Sequence, residues 1–172
     1  MENLVYDGKV LHWGNALKFK ATSGMPGYQD TRHQCVAEKG PVPAGNYYIA
    51  LILGNKAEDD GEGICRLRPS WQIQEIPRGS DAGECEPYWA NWGYNRVRFE
   101  PADTVTKSKC YPNRSGFYLH DSTKGFSHGC IEVEQSFFGH LREHAKNSGN
   151  KRLSLTIEYS GTSTNGGTKI AP

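Results

Sequence analysis

Short apolar runs that alternate at period two, each cut off by glycine or proline, are what most limits the fold of this chain. Alternation places every second side chain on one face of an extended segment, so such runs read as half-buried strands. Leu4-Val5-Tyr6 and Lys9-Val10-Leu11-His12-Trp13 flank Asp7-Gly8, which is a hairpin signal. Residues 16–21 alternate in the same way and are followed by a polar loop over 23–40. Pro41-Val42-Pro43-Ala44-Gly45 reads as a rigid turn ahead of a strand at 47–53. Further strands are predicted at 71–76, 96–99, 116–120 and 153–157.

Helical spacing is confined to 134–148, where Phe137, Phe138, Leu141, His144 and Ala145 share a face and Gly149 follows as a stop. The 20 glycines and 9 prolines supply turns for many short elements. This balance predicts a mainly β sandwich or barrel with one principal helix near the C-terminus. No repeat or internal boundary divides the 172 residues. Residues 1–160 are therefore read as one domain, and the Gly/Ser/Thr-rich 161–172 as a flexible tail.

Charge excludes several function classes. Twenty basic residues balance 19 acidic ones for a net charge of +1, which lacks the basic surplus of a nucleic-acid binder. No apolar stretch approaches the roughly 20 residues of a membrane span. The opening Met-Glu-Asn-Leu-Val-Tyr-Asp lacks the basic and apolar regions of a signal peptide. The acidic run 58–63 reads as a solvated turn, since a calcium loop needs a longer ligand pattern.

The five cysteines, Cys35, Cys65, Cys85, Cys110 and Cys130, are odd in number and contain no C-x-x-C pair. A zinc ribbon is thereby disfavoured, and no metal or other cofactor is expected. Two disulfides with one free thiol, and five reduced thiols, are both open.

The chemistry concentrates in Gly116-Phe117-Tyr118-Leu119-His120 and in Ser127-His128-Gly129-Cys130-Ile131. Cysteine attacks as the thiolate, which a nearby histidine makes accessible near neutral pH. His120 and His128 are both candidates for that base. Gly129 permits a tight turn that aims the sulfur and directs the N–H groups of Gly129 and Cys130 at one point, as an oxyanion hole requires. Ser127 is read either as orienting His120 or as forming the turn. Asp121 is a weaker third partner, because adjacent residues on a strand face opposite ways. Arg96 and Arg98, with Trp92 nearby, are candidate contacts for an anionic substrate.

Ser127-His128-Gly129-Cys130-Ile131, with His120 upstream and the turn 40–49 (Gly-Pro-Val-Pro-Ala-Gly-Asn-Tyr-Tyr-Ile), resembles the L,D-transpeptidase (YkuD-type) catalytic domain. The spacing departs from that family: only six residues separate His120 from Ser127, Asp121 replaces a glycine, and Glu132 and Val133 stand shortly after the cysteine where the family usually has Asn or Arg. In this the chain is more similar to the L,D-transpeptidase-like toxins delivered by type VI secretion. The resemblance implies a Cys130 thioester formed on peptidoglycan stem peptides, with carboxypeptidase or D-amino-acid exchange activity. It also implies a cognate immunity protein, contact with secretion-machinery components, synthesis in the cytoplasm without a signal peptide, and action in the periplasm of target bacteria. A Cys/His amidase or endopeptidase and a non-catalytic, disulfide-stapled cell-wall-binding module are the alternative readings.

Overall fold

A computed structural model describes residues 3–170. Among these residues, eight of nine strands are joined in the order β4-β9-β1-β2-β3-β8-β7-β6, and β6 pairs back to β4 to close an eight-stranded barrel. The strands are β1 (Asn3–Tyr6), β2 (Val10–Trp13), β3 (Leu17–Ser23), β4 (Gly45–Ala50), β5 (Gln74–Glu75), β6 (Asn95–Pro101), β7 (Phe117–His120), β8 (Ile131–Val133) and β9 (Arg152–Ile157). β5 lies outside the ring, paired to the start of β6. Closure matters because short strands expose unpaired edges unless the sheet returns on itself.

Alternation in the sequence becomes inside and outside here. Tyr6, Leu11, Phe19, Ile49, Phe99, Leu119, Ile131 and Leu155 all belong to one buried core. Helix α3 (Ser136–Asn147) adds Phe137, Phe138 and Leu141 to it, and Phe137 packs against the rings of Trp13 and Phe19. The helix stops after Asn147, just ahead of Gly149, close to where the spacing placed its end. Two short helices, α1 (Glu86–Trp89) and α2 (Thr104–Lys107), carry too few residues to show a period in sequence. A second small core of Ala57, Leu67, Ile76, Ala82 and Trp89 lies under the long connection between β4 and β6.

Two features of the connectivity build the site. First, β7 and β8 are consecutive yet parallel, with Leu119 opposite Ile131 and His120 opposite Glu132. Parallel neighbours need a crossover, and residues 121–130 are that crossover. The end of β7 is thereby set beside the start of β8, so His120 and Cys130 come from adjacent strands at one end of the barrel wall. Second, one outward-facing row runs across five strands in register: Gln74, Arg96, His120, Glu132 and Thr22. Their neighbours along each strand, such as Val97, Leu119 and Ile131, are core residues, so this row points away from the barrel axis. All five are nevertheless buried, because loops and the C-terminal segment roof them.

That roof corrects the expectation of a flexible tail from Gly161. Thr164 exchanges hydrogen bonds with Ser23, through Ser23 N–H to Thr164 O at 2.9 Å and Thr164 Oγ1 to Ser23 O at 2.6 Å. Gly166 N–H donates to Thr22 Oγ1 at 3.0 Å, and Ile170 N–H donates to Thr123 O at 3.1 Å. Gly166 lies so close to the backbone that a Cβ there would sit 2.1 Å from Lys9 O. The composition that resembles a linker is a set of small residues and hydroxyls fitted against β3. Residues 1, 2, 171 and 172 lie outside the described residues.

Candidate active site

Four of the five cysteines pair, as Cys35–Cys110 and Cys65–Cys85, and Cys130 is the free thiol. Among the described residues the closest grouping of possible metal donors is Asp59, Cys65 and Cys85, and both of its sulfurs are spent in a disulfide.

Cys130 separates two cavities. One, of about 230 Å³, is lined by Trp92, His120, Phe126, Ser127, His128 and Cys130. The other, of about 410 Å³, is lined by Glu38, Asn113, Arg114, Ser115, His128 and Cys130 among others. A larger cavity of about 670 Å³ lies at the β2–β3 turn beside α3, lined by Trp13, Asn15, His140 and His144 among others, and no cysteine lines it. Chemistry rather than size identifies the site.

The turn carrying the thiol is held from below. Ser23 Oγ and Ser127 Oγ both donate to Cys130 O, at 2.6 and 2.5 Å. Ser127 also accepts from Gly24 N–H at 3.0 Å. Ser127 is thus a turn lock, the second of its two sequence readings. Gly129 has φ of +90°, a region L side chains avoid, and a Cβ there would lie 2.4 Å from Arg114 Nη2. Arg114 donates in turn to Pro41 O at 2.6 Å and Gly40 O at 3.3 Å. The early Pro-Gly turn and the cysteine turn are therefore joined through one guanidinium.

His120 is 5 % exposed, and burial lowers its pKa from 6.5 to about 4, with the Trp92 backbone carbonyl opposing the shift. Its Nδ1 lies 3.0 Å from Ser122 Oγ, and the same hydroxyl donates to Glu132 Oε2. Trp92 packs edge-on against the imidazole with centroids 5.6 Å apart. Burial raises the Cys130 thiol, while a Tyr118 backbone hydrogen bond and the charges of Arg114 and Arg96 pull it down. A raised thiol beside a lowered imidazole rests as a neutral pair, with the proton on sulfur. His128 is exposed, packs against Phe126 and lines both cavities.

The family model of the Tlde1 domain matches residues 17–156. The chain belongs to the Tlde1 domain family. Tlde1 domains are toxin domains of type VI secretion effectors, and such an effector fits a cognate immunity protein. No curated protein matches the chain. Among the described residues of this Tlde1 domain, no helix is long and apolar enough to cross a membrane.

The structure brings Cys130, His120, Ser127, His128, Gly129 and Trp92 together, and leaves Arg96 and Arg98 out of the cleft lining. Arg96 is 1 % exposed, donates to Gln74 Oε1 and Arg68 O, and lies 4.8 Å from the Trp92 ring. Arg98 pairs with Glu100 at 2.7 Å and covers Trp71. Neither presents a free fork to a substrate carboxylate. Asp121 turns away from His120, as strand alternation predicts, and accepts from Tyr94 N–H, Asn95 N–H and Asn95 Nδ2 at 2.6 to 2.8 Å. Ser122, Arg114 and Glu132 are the residues sequence reasoning missed. The available signals were a second serine two residues after His120 and a glutamate where the resembled family has a different residue.

Proposed function

We propose that this effector domain is a cysteine acyl-transferase acting on peptidoglycan stem peptides, with Cys130 as nucleophile and His120 as base. The observation that carries the reading is that the one cysteine left out of the disulfides follows a positive-φ glycine in a tight turn, in a cleft it shares with a buried, neutral imidazole.

In this reading His120 takes the thiol proton as the sulfur attacks the carbonyl between the L-centre of diaminopimelate and the terminal D-amino acid. The carbonyl electron pair moves to oxygen and is met by the N–H groups of Gly129 and Cys130. Collapse forms a thioester and expels the D-amino acid, whose amine takes the proton back from His120. Water then releases a shortened stem, or an incoming amine gives exchange or a cross-link. Two cavities meeting at the sulfur suit a reaction in which one group leaves and another arrives. The disulfides suit an oxidising compartment such as the periplasm of a target cell.

Mass spectrometry of muropeptides incubated with wild type and Cys130→Ala tests the reading. Loss of terminal D-alanine, or its replacement by an added D-amino acid, is expected with wild type alone. Cleavage within the stem would make the protein an endopeptidase instead. Sacculus binding by both forms, with no product from either, would leave the cell-wall-binding module.

A further inference from the structure

Glu132 is fully buried, directly opposite His120, and no lysine or arginine pairs with it among the described residues. An uncompensated buried carboxylate is costly, so one that persists must be satisfied by hydrogen bonds. Four donors converge on it. Lys124 N–H and Ser122 Oγ reach Oε2, and Gly125 N–H and Thr168 Oγ1 reach Oε1. An ionised carboxylate offers about four acceptor sites and no donor, so this set fits the ionised form.

The consequence falls on Ser122. A hydroxyl has a single hydrogen, and here it goes to Glu132 Oε2. The Ser122 oxygen is then an acceptor toward His120 Nδ1, 3.0 Å away. With the Ser122 oxygen as acceptor the ring hydrogen lies on Nδ1 and the lone pair on Nε2; the Trp92 backbone carbonyl is a second acceptor at the ring, and the tautomer reports which of the two holds the hydrogen. We propose that Glu132 and Ser122 are positioning residues that fix the tautomer of His120, and that the C-terminal segment completes the device through Thr168. The carboxylate acts through the hydroxyl, because Ser122 stands between it and the ring. Arg96 flanks His120 in the same row on β6 and faces it as a buried cation, and His128 approaches from the crossover loop. Both disfavour a second proton on the ring. The inference refines the base assigned above, and it can be tested without any peptidoglycan.

Two measurements on the full chain decide it. Nitrogen NMR of the His120 ring is expected to show Nδ1 protonated at neutral pH in wild type, and Ser122→Ala or Glu132→Gln to mix the tautomers. A ring protonated on Nε2 in wild type would overturn the proposal. The second is the pH profile of Cys130 alkylation by iodoacetamide. Ser122→Ala is expected to slow alkylation about 10-fold at pH 7, the scale of lost outer-shell partners. Ser122→Thr, which keeps the hydroxyl, should restore it, and Thr168→Val should slow it in the same direction. A folded Ser122→Ala protein with the wild-type profile would also refute it. If Glu132→Gln fails to fold, the serine pair still decides. Should the thiol behave as expected while no muropeptide changes, the substrate assignment fails and the positioning role stands.

Discussion

At the scale of single residues, the site is two groups moved in opposite directions by burial. His120 is held near pKa 4 and the Cys130 thiol is raised. The base is therefore neutral and competent through mildly acidic pH. The acid limb of kcat/KM is expected near pH 4 rather than near 6.5, and a limb at 6.5 would show an exposed imidazole. Stability follows the same shift. Between pH 6.5 and 4 the unfolded chain binds a proton at this histidine that the folded chain does not, so stability falls as pH falls through that window. The full effect is on the order of 3 kcal/mol. Denaturant melts at pH 7 and pH 4.5 should show a smaller loss for His120→Gln than for wild type. Gly129 gives a second test. A side chain there meets both a positive φ and the Arg114 guanidinium, so Gly129→Ala should lose activity and about 1–3 kcal/mol of stability, read as a lower Tm.

At the scale of elements, the disulfides act where the barrel does not. Cys65–Cys85 closes a 20-residue separation over the small core of Ala57, Leu67, Ile76, Ala82 and Trp89, against which Trp92 also packs. Such a loop closure stabilises by roughly 3 kcal/mol in the chain-entropy picture. Cys65→Ala with Cys85→Ala should lower the Tm and weaken the Trp92 wall of the cleft, raising KM more than it lowers kcat. An equal fall in kcat would place the effect at the thiol. The elements differ in how well sequence announced them. The hairpin at Asp7-Gly8, the strand ending in His120 and the helix ending before Gly149 each carry a period and a stop, so their positions were legible. β8 is only Ile131–Val133, too short to alternate, and its parallel pairing with β7 is a long-range choice that no local period encodes. For that reason His120 and His128 both stood as candidate bases, and Ser122, whose hydroxyl lies against the His120 ring, was not singled out. Which serine reaches the imidazole depends on how the crossover returns to the wall. The arginines were misplaced for a related reason. Alternation on β6 puts Arg96 on the outer face, but only the covering loops make that face an interior.

At the scale of the whole molecule, two conditions of the proposed chemistry point to one compartment. The walls of both cavities depend on disulfides, since Cys35–Cys110 borders the larger cleft and Cys65–Cys85 underlies Trp92. Such bonds form in oxidising surroundings and are rare in a reducing cytoplasm. Stem peptides of the mature wall also lie outside the inner membrane. The same chain should therefore kill bacteria when an added signal sequence exports it and spare them when it is made in the cytoplasm. Cys130→Ala should abolish the exported toxicity while leaving the protein folded and both disulfides formed. Growth curves of the three strains, with thiol counting on the exported proteins, measure this directly. Killing by the unexported chain would place the target inside the cell and remove the stem peptide as substrate. Killing by exported Cys130→Ala would remove the thiol as the reactive group, and with it the reason for burying an imidazole beside it.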